Sequence, residues 1–244
     1  MPHLPRQLLL DLPPAAPPRP RQLAFDLAPP PDFAASLFHA SPSNASAAAM
    51  VALWPRWPGG VLLLTGPAGS GKSHLLHIWA ARSGARVIRG GDVAALDCAG
   101  LPPGSAIAID GADGIAGAEA GMFHLLNVMR EDGRSLLLAA RRRPEHWGLH
   151  TPDLLSRLRL APGVAIDAPD DALLRAVLSK LFADRQLAVE SDIVNYAATR
   201  LPRSLDAARR LVAALDSEGL ARGSGITRAL AGKVLEAMGE RDAD

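Results

Sequence analysis

The sequence predicts an α/β domain with a five-stranded parallel sheet, followed by a small all-helical domain. The first observation is a series of five short, nearly continuous apolar runs, separated by segments long enough for crossover helices. Such runs are typical of parallel strands that are covered on both faces. The second is that these runs stop near residue 169, whereas apolar residues at helical spacing continue beyond it. The third is a glycine-rich turn directly after the first run, where α/β proteins often bind phosphate.

The chain is predicted to have three parts. Nearly half of its 21 prolines lie in residues 1–31. Because proline lacks an N–H donor and breaks helices, this stretch is predicted to be a disordered, extended tail. The α/β domain is predicted for residues 32–168 and the helical domain for residues 169–244. The predicted strands are residues 61–65, 85–89, 106–110, 135–140 and 163–167.

The helical domain is predicted from four stretches with helical spacing of apolar residues. The first follows Pro169, with Asp170 and Asp171 placed to cap the helix and to complement its dipole. Three further helical stretches begin at Ser191, Ser204 and Thr227.

Composition narrows the class of protein. The 244 residues are 48% hydrophobic and carry a formal net charge of +1, so the chain can bury a core but shows no broad basic footprint. The charge therefore indicates no dedicated DNA-binding domain, but by itself it does not exclude nucleic acid. The single cysteine, Cys98, excludes an internal disulfide and a cysteine-based zinc site. No apolar run approaches 20 residues, so we expect a cytoplasmic protein with no membrane partner.

A phosphate-binding loop is predicted directly after the first strand. The stretch GPAGSGKS matches the pattern G-x-x-x-x-G-K-[ST], in which backbone N–H groups surround phosphate oxygens, the lysine reaches the β- and γ-phosphates and the serine holds Mg²⁺. The strand before it and the helix after it are the context that this pattern requires. The candidate nucleotide-binding residues are Gly66, Gly69, Gly71, Lys72 and Ser73.

Two aspartates after the third predicted strand are candidates for the chemistry. Asp110 ends that strand, where a second acidic ligand for Mg²⁺ belongs in phosphate-loop proteins. Asp113 is the nearest candidate to orient an attacking water, although a loop aspartate that bonds its own backbone explains it equally well. The fourth strand ends in Ala139 and Ala140, which cannot sense a γ-phosphate. The sequence thus predicts secure binding of ATP or ADP with Mg²⁺ but weak intrinsic ATPase activity.

Two arginines are placed where they can act on a nucleotide. Arg157 lies just before the last predicted strand, from where it can reach a neighbouring subunit's nucleotide as an arginine finger. Arg203 begins a helix of the helical domain and can fold back over a bound nucleotide. By themselves, both are better explained as surface charges.

The order of these segments resembles the AAA+ ATPase part of the bacterial replication initiator DnaA, from about Asp32 to the C-terminus. The resemblance rests on SPSNASA, GPAGSGKSHLLH, AIAIDGAD, TPDLLSRL and LPRSLDAARRL. It implies an AAA+ P-loop NTPase with a helical lid, with Ser43 and Asn44 near the adenine. It also extends the nucleotide-binding set to His74, and it makes Arg157 the finger and Arg203 the sensor arginine of the lid. Without it, His74 and His77 are better explained by packing than as a metal pair.

The resemblance has two departures. DnaA carries an additional DNA-binding domain, and this chain ends about where that domain would begin, so we expect no direct sequence-specific DNA binding. DnaA also has polar and acidic groups after its fourth strand, where this chain has Ala139, Ala140 and Arg141. A DnaA-like module with an N-terminal Gln-Leu peptide resembles the Hda family, regulators that act with the DNA-loaded sliding clamp to promote hydrolysis of ATP on DnaA.

One short phrase occurs twice in the tail, as RQLLLDL from Arg6 and RQLAFDL from Arg21. Extended peptides of this kind are captured by pockets that take alternate side chains, and the pattern resembles sliding-clamp-binding peptides. An alternative also stays open, in which one copy lies along the folded domain as an extra strand. By its spacing to DFAAS and the phosphate loop, the second copy resembles the Hda peptide more closely and is the favoured one. The candidate clamp-binding residues are Gln22, Leu23, Phe25 and Leu27, and in the first copy Gln7, Leu8, Leu10 and Leu12.

Together these features predict a negative regulator of replication initiation, associated with the replisome or nucleoid. It would dock on the clamp and present Arg157 to ATP on DnaA. One alternative is a DnaA-related adaptor that anchors proteins at the origin without stimulating hydrolysis. Another is a helicase-loading ATPase, which the 4% aromatic content disfavours because stacking platforms for single-stranded DNA need aromatic residues. The sequence leaves open the resident nucleotide, homodimer formation and whether DnaA is the only client.

Overall fold

The computed structural model describes residue 33 and residues 35–130, 133–223 and 225–243 of the 244-residue chain. Its centre is a parallel sheet of five strands, β1 (Val61–Thr65), β2 (Arg86–Arg89), β3 (Ala106–Asp110), β4 (Ser135–Ala140) and β5 (Gly163–Ala165). Their order in the sheet is β2-β3-β4-β1-β5. The order places β4 between β3 and β1, so the carboxyl ends of these three strands lie side by side.

Alternate residues of the central strands pack into separate cores on the two faces of the sheet. In β1, Val61 and Leu63 belong to one buried cluster and Leu62 and Leu64 to the other. This follows from the two-residue period of a strand, which sends successive side chains to opposite faces. The double coverage explains why β1, β3 and β4 are continuous apolar runs in the sequence. The helices of this α/β part are α1 (Ala45–Ala52), α2 (Lys72–Ser83), α3 (Glu119–Met129) and α4 (Pro152–Leu160).

The helical part has a core of its own, built from α5 (Asp171–Asp184), α6 (Ser191–Ala198), α7 (Leu205–Arg222) and α8 (Arg228–Ala243). Side-chain caps fix the starts of two of these helices. At α5, Asp170 accepts a hydrogen bond from the N–H of Leu173 (2.7 Å), and at α7, Ser204 accepts one from the N–H of Ala207 (3.3 Å).

The predicted fold class is confirmed, a five-stranded parallel sheet with helices followed by a helical region. The predicted bounds of β1, β3 and β4 agree with the structure. Strand β5 ends two residues earlier than predicted, because the N–H of Asp167 donates to the carbonyl of Ser43 (3.0 Å) instead of continuing the sheet.

Arg134, at the entrance to β4, is a buried arginine with a structural role. Only 8% of it is exposed, and its guanidinium donates to the carbonyls of Leu101 (2.6 Å), Pro102 (3.2 Å) and Val128 (3.2 Å). We expect Arg134→Met to lower the free energy of unfolding by roughly 2–4 kcal/mol, because three carbonyls lose their donor. Urea unfolding followed by circular dichroism measures this, with the exposed Arg130→Met as control. Equal stabilities of the two variants would contradict the structural role.

Candidate phosphate-binding cleft

A cavity of about 420 Å³ lies at the carboxyl ends of β1, β3 and β4. Because parallel strands place their carboxyl ends at one edge, the loops that follow them meet there. The cavity brings together five of the predicted site residues, Gly69, Lys72, Ser73, Asp110 and Asp113. The arrangement combines an ammonium, a hydroxyl, two carboxylates and a helix start, which together suit a phosphate group and a hard cation.

The loop between β1 and α2 is tightly wound around its glycines. Gly71 has a φ of 102° and immediately precedes the first residue of α2, so the free N–H groups of the helix start face the loop. Gly66 donates its N–H to the carbonyl of Ala140 (3.3 Å), and a Cβ at Gly66 would collide with the carbonyl of Ile166. The close approach at Gly66 explains why the loop needs a glycine there.

Lys72 is held inside this loop. It is 9% exposed, and its Nζ donates to the carbonyls of Gly66 (2.8 Å) and Pro67 (2.7 Å). Burial lowers the pKa of the Lys72 ammonium, and the carboxylates of Asp110 and Asp113 act in the opposite direction. A phosphate oxygen is a stronger acceptor than a neutral carbonyl, so an incoming phosphate can compete for the ammonium protons.

The start of α7 packs directly on the phosphate loop. The N–H of Leu205 donates to the carbonyl of Gly69 (2.8 Å), and a Cβ at Gly69 would overlap the hydroxyl of Ser204. Asp206, in the first turn of α7, lines the cleft. The helical part therefore contacts the loop itself, so its position and the state of the loop are physically coupled.

Arg203 lies beside this contact but does not line the cavity. Its guanidinium forms an ion pair with Asp171 (3.1 Å) and donates to the carbonyl of Pro169 (3.3 Å). Its side chain is 57% exposed. These bonds hold it against the start of α5, at the junction between the sheet and the helical part.

The segment expected near an adenine is tied into the fold by its own hydrogen bonds. Asn44 is buried; its side chain donates to the carbonyl of His39 (2.9 Å) and accepts from the N–H of Ser41 (2.9 Å). The Ser43 hydroxyl bonds that of Ser41 (2.6 Å). Neither Ser43 nor Asn44 lines the 420 Å³ cavity. Through the carbonyl of Ser43, the segment contacts the chain that leaves β5.

The two histidines of α2 face aromatic side chains instead of the cleft. His74 is buried and packs edge-on against Phe38, with 5.6 Å between ring centroids. His77 stacks on Phe33 at 4.2 Å. Within the described ranges, no group of three or more His, Cys, Asp and Glu side chains is arranged to hold a metal ion.

Arg157 lies outside this cleft. It projects from α4 onto α3, where its guanidinium donates to the Oδ1 of Asn127 and lies 4.4 Å from the centroid of the Phe123 ring. It lines a small cavity with Pro58 and Val61, at the amino end of β1, whereas the phosphate loop follows the carboxyl end. Arg157 is therefore separated from its own cleft by the length of the strand.

The carboxylate of Glu119 fixes the entrance to α4. It accepts hydrogen bonds from the N–H groups of His150 and Thr151, both at 2.8 Å. Hydrogen bonding from the Thr151 side chain, and next that from the His150 backbone, lowers the pKa of Glu119. Since Thr151 directly precedes α4, Glu119 at the start of α3 ties the start of α4 to the start of α3. In this arrangement the Arg157 side chain on α4 packs against α3.

Three charged residues of the cleft were not anticipated as site residues from the sequence. Arg89 ends β2, Arg141 follows β4 and Asp206 lies in α7, and all three line the cavity with Lys72. The sequence signal for Arg141 was its position directly after a predicted strand, but its meaning depends on β4 lying between β1 and β3. That strand order cannot be obtained from spacing along the chain.

Both Gln-Leu peptides, with Gln7 and Gln22, lie outside the described residues. Across the part of the chain that the structure describes, no helix is both long and apolar enough to cross a membrane.

No protein-family model and no curated protein match the chain. Among solved structures, domain III of the Thermotoga maritima replication initiation protein DnaA matches with a TM-score of 0.70 and 20% identity, over 85% of this chain and 97% of that one. AMPPCP-bound DnaA from Aquifex aeolicus matches with a TM-score of 0.58 and 20% identity, over 76% of this chain and 66% of that one. A Thermotoga maritima RuvB mutant matches with a TM-score of 0.56 and 19% identity, over 80% and 68%. The chain therefore has the fold of an AAA+ α/β domain followed by a helical lid.

Proposed function

We propose that the chain binds ATP or ADP in the cleft at the carboxyl ends of β1, β3 and β4. The N–H groups of the loop and of the α2 start would surround the phosphates, and Lys72 would contact the β- and γ-phosphates. Ser73 and Asp110 line the same cavity and offer the oxygen ligands that Mg²⁺ prefers. The likeness to nucleotide-bound DnaA supports this assignment. The ion would neutralise phosphate charge, while Lys72 and the loop orient the nucleotide.

We infer that intrinsic hydrolysis is slow. Ala139 and Ala140, at the end of β4, are buried and carry no polar side chain that orients a γ-phosphate or a water. Asp113 is half-buried in the cleft and is the best candidate for a water-orienting base. One carboxylate without a polar partner on β4 is a weak hydrolytic site, which suits a protein that acts on another molecule's nucleotide.

The observation that carries the regulatory proposal is the position of Arg157. It lies near the amino end of β1, and five residues of strand extend about 13–16 Å toward the phosphate loop. An arginine this far from its own cleft cannot contact a nucleotide bound there, and this separation supports a role toward the nucleotide of a neighbouring molecule. We propose that the neighbour is DnaA and that Arg157 neutralises charge on its transferred phosphoryl group, as an arginine finger.

We propose an Hda-like regulator that inactivates DnaA at the replisome or nucleoid. The N-terminal peptides would dock on the DNA-loaded sliding clamp, with Gln22 in the preferred copy. This would bring the AAA+ module close to DNA without its own sequence-specific contact. The clamp part of the proposal rests on the repeated Gln-Leu pattern of the sequence.

A reconstituted hydrolysis assay tests the proposal. ATP-bound DnaA is incubated with DNA-loaded clamp, with and without this protein, and the conversion of ATP to ADP on DnaA is measured. We expect clamp-dependent acceleration, with Gln22→Ala losing more of it than Gln7→Ala, because the second copy is the preferred ligand. Unchanged hydrolysis on adding the protein would refute the regulatory role. Full acceleration by a variant that carries both Gln7→Ala and Gln22→Ala would refute the role of the two peptides in clamp binding.

A second candidate is an adaptor that contacts other proteins at the origin without stimulating hydrolysis. The observation in its favour is that Arg157 already has partners in its own chain, Asn127 and Phe123. Such bonds are expected of a structural arginine. The same assay separates the candidates, because an adaptor would bind DnaA and leave its hydrolysis rate unchanged.

A further inference from the structure

Strand β2 forms an open edge of the sheet. In the described part of the chain it pairs with β3 alone, and a cavity of about 700 Å³ runs along all four of its residues. Because the backbone groups of alternate residues point to opposite sides of a strand, the outer side of an edge strand can pair with an extended peptide. We propose that this edge binds the second Gln-Leu segment of the same chain, residues 21–27, as an added antiparallel strand.

The chain that follows this segment lies beside the edge. Phe33 stacks on His77 with 4.2 Å between ring centroids, and His77 lines the cavity along β2. Only residues 28–32 separate Phe33 from the second segment. At about 3.1 Å per residue they span roughly 16 Å, which exceeds the length of β2, about 10 Å. The second segment is therefore within reach of the edge, whereas the first segment, residues 6–12, needs a much longer connection.

The charges of the cavity determine the direction of the added strand. The titratable residues that line it are His77, Arg86, Arg89, Asp92 and Asp110. Of these, Arg86 lies at the amino end of β2, whereas Arg89 at the carboxyl end is accompanied by both aspartates. The segment has Arg21 at its start and Asp26 near its end. Antiparallel pairing sets Asp26 opposite Arg86 and brings Arg21 toward the aspartates, whereas parallel pairing would bring like charges together.

An exposed valine on β2 fits the same register. Val87 is 36% exposed, whereas its neighbour Ile88 packs against the core that contains α3. Because successive side chains of a strand point to opposite faces, Val87 faces the α2 side of the sheet. The register that pairs Asp26 with Arg86 places Phe25 opposite Val87, on the same face. An aromatic residue opposite a β-branched one is a stabilising cross-strand pair, so Phe25 would cover the exposed valine.

Docking on β2 would compete with the sliding clamp. The same segment is the preferred clamp ligand in the proposed function, and it cannot pair with β2 and fill a clamp pocket at the same time. The clamp therefore binds only the fraction of molecules in which the segment has left β2, and docking lowers the apparent affinity accordingly. The strand docking rests on β2 and its cavity, and only this competition rests on the proposed function.

Hydrogen–deuterium exchange of the full chain tests the docking. Amides of residues 86–89 that point away from β3 should exchange roughly tenfold more slowly than free edge amides if the segment is docked about nine-tenths of the time. Phe25→Ser should remove this protection, whereas Leu10→Ser, at the matching position of the first segment, should retain it. The amides of β3 are the internal reference, since β3 lies between two strands. Equal exchange over residues 86–89 in the wild type and both variants would overturn the docking.

A charge exchange tests the direction of the strand. Asp26→Arg and Arg86→Asp should each lose most of the protection, because each sets like charges opposite each other, and the double variant should regain it. Single variants that keep the protection, or a double variant that fails to regain it, would refute the antiparallel register. Arg86 does not line the phosphate cleft, so nucleotide binding should stay unchanged. Circular dichroism melting of each variant ensures that folded protein is compared.

Adding the sliding clamp separates this inference from the proposed function. Clamp binding should release the segment and speed exchange over residues 86–89 to the rate of Phe25→Ser. A clamp that binds without changing this exchange would refute the second segment as the clamp ligand and leave the docking in place. A clamp that does not bind at all would refute the clamp proposal alone, because the effects of Phe25→Ser and of the charge exchange are measured without it.

Discussion

Arg157→Ala is expected to abolish nearly all of the acceleration of ATP hydrolysis on DnaA. Arginine fingers contribute about 10³ to 10⁵ in rate where they have been measured, so a residual stimulation below roughly one hundredth of the wild type is expected. The physical reason is that charge developing on the phosphoryl oxygens would lose its cationic partner. The measurement is the single-turnover rate of ATP loss from DnaA in the presence of loaded clamp.

The matched control is Arg159→Ala. Arg159 lies on the same helix α4, is half-exposed and pairs with Glu145 at 3.0 Å on the surface. Its removal takes away the same formal charge and should leave the acceleration within about twofold, since exposed ion pairs contribute little. If both variants lose activity equally, the finger assignment fails and general charge on α4 accounts for the effect.

The contacts of Arg157 within its own chain add a second requirement for the proposed arginine-finger role. To reach another molecule's nucleotide, the guanidinium must leave the Oδ1 of Asn127 and the ring of Phe123. These contacts hold the side chain in one rotamer, and breaking them costs an amount typical of one hydrogen bond and one cation–π contact, about 1–3 kcal/mol. Binding to a partner must supply that free energy, so the finger would act only in the assembled complex.

The fold was predictable because the central strands are buried on both faces. A strand covered on both faces is apolar at nearly every position, and β1, β3 and β4 show this directly in the sequence, with polar residues only at one end of each strand. The edge strands were less well defined: β2 carries arginines at both ends, and β5 leaves the sheet where Asp167 bonds to Ser43. The strand order could not be predicted, since it depends on which apolar faces pack together.

The candidate site was only partly predictable for the same reason. Lys72, Ser73 and Asp110 follow from short motifs, and the structure gathers them around one cavity. The partners of the arginines depend on contacts between distant segments. Arg157 meets Asn127 from 30 positions earlier in the chain. Arg203 meets Asp171 across the junction of the two parts. No local pattern records such contacts.

Lys72→Ala is expected to weaken binding of ATP and ADP alike by at least roughly a hundredfold, since the residue contributes charge and hydrogen bonds to phosphates that both nucleotides share. Isothermal titration calorimetry measures the two dissociation constants. Lys180→Ala is the control, because Lys180 lies on α5 and pairs with Asp184 at 2.9 Å, away from the cleft. A Lys72→Ala variant that binds ADP as tightly as the wild type would show that the cleft is not a phosphate site.

The pH dependence of binding gives the same residue a second test. Burial lowers the pKa of Lys72 in the free protein, and a bound phosphate favours the charged ammonium and raises that pKa again. At pH values below the pKa of Lys72 in the free protein, the affinity for nucleotide should therefore not depend on this lysine. The affinity should fall as pH rises through that pKa, because binding must then take up a proton. Above about pH 8 the terminal phosphate, with a pKa of about 6, no longer contributes to the change. The fall should appear in the wild type and in Lys180→Ala and should be absent from Lys72→Ala; an identical fall in all three would assign it to another group.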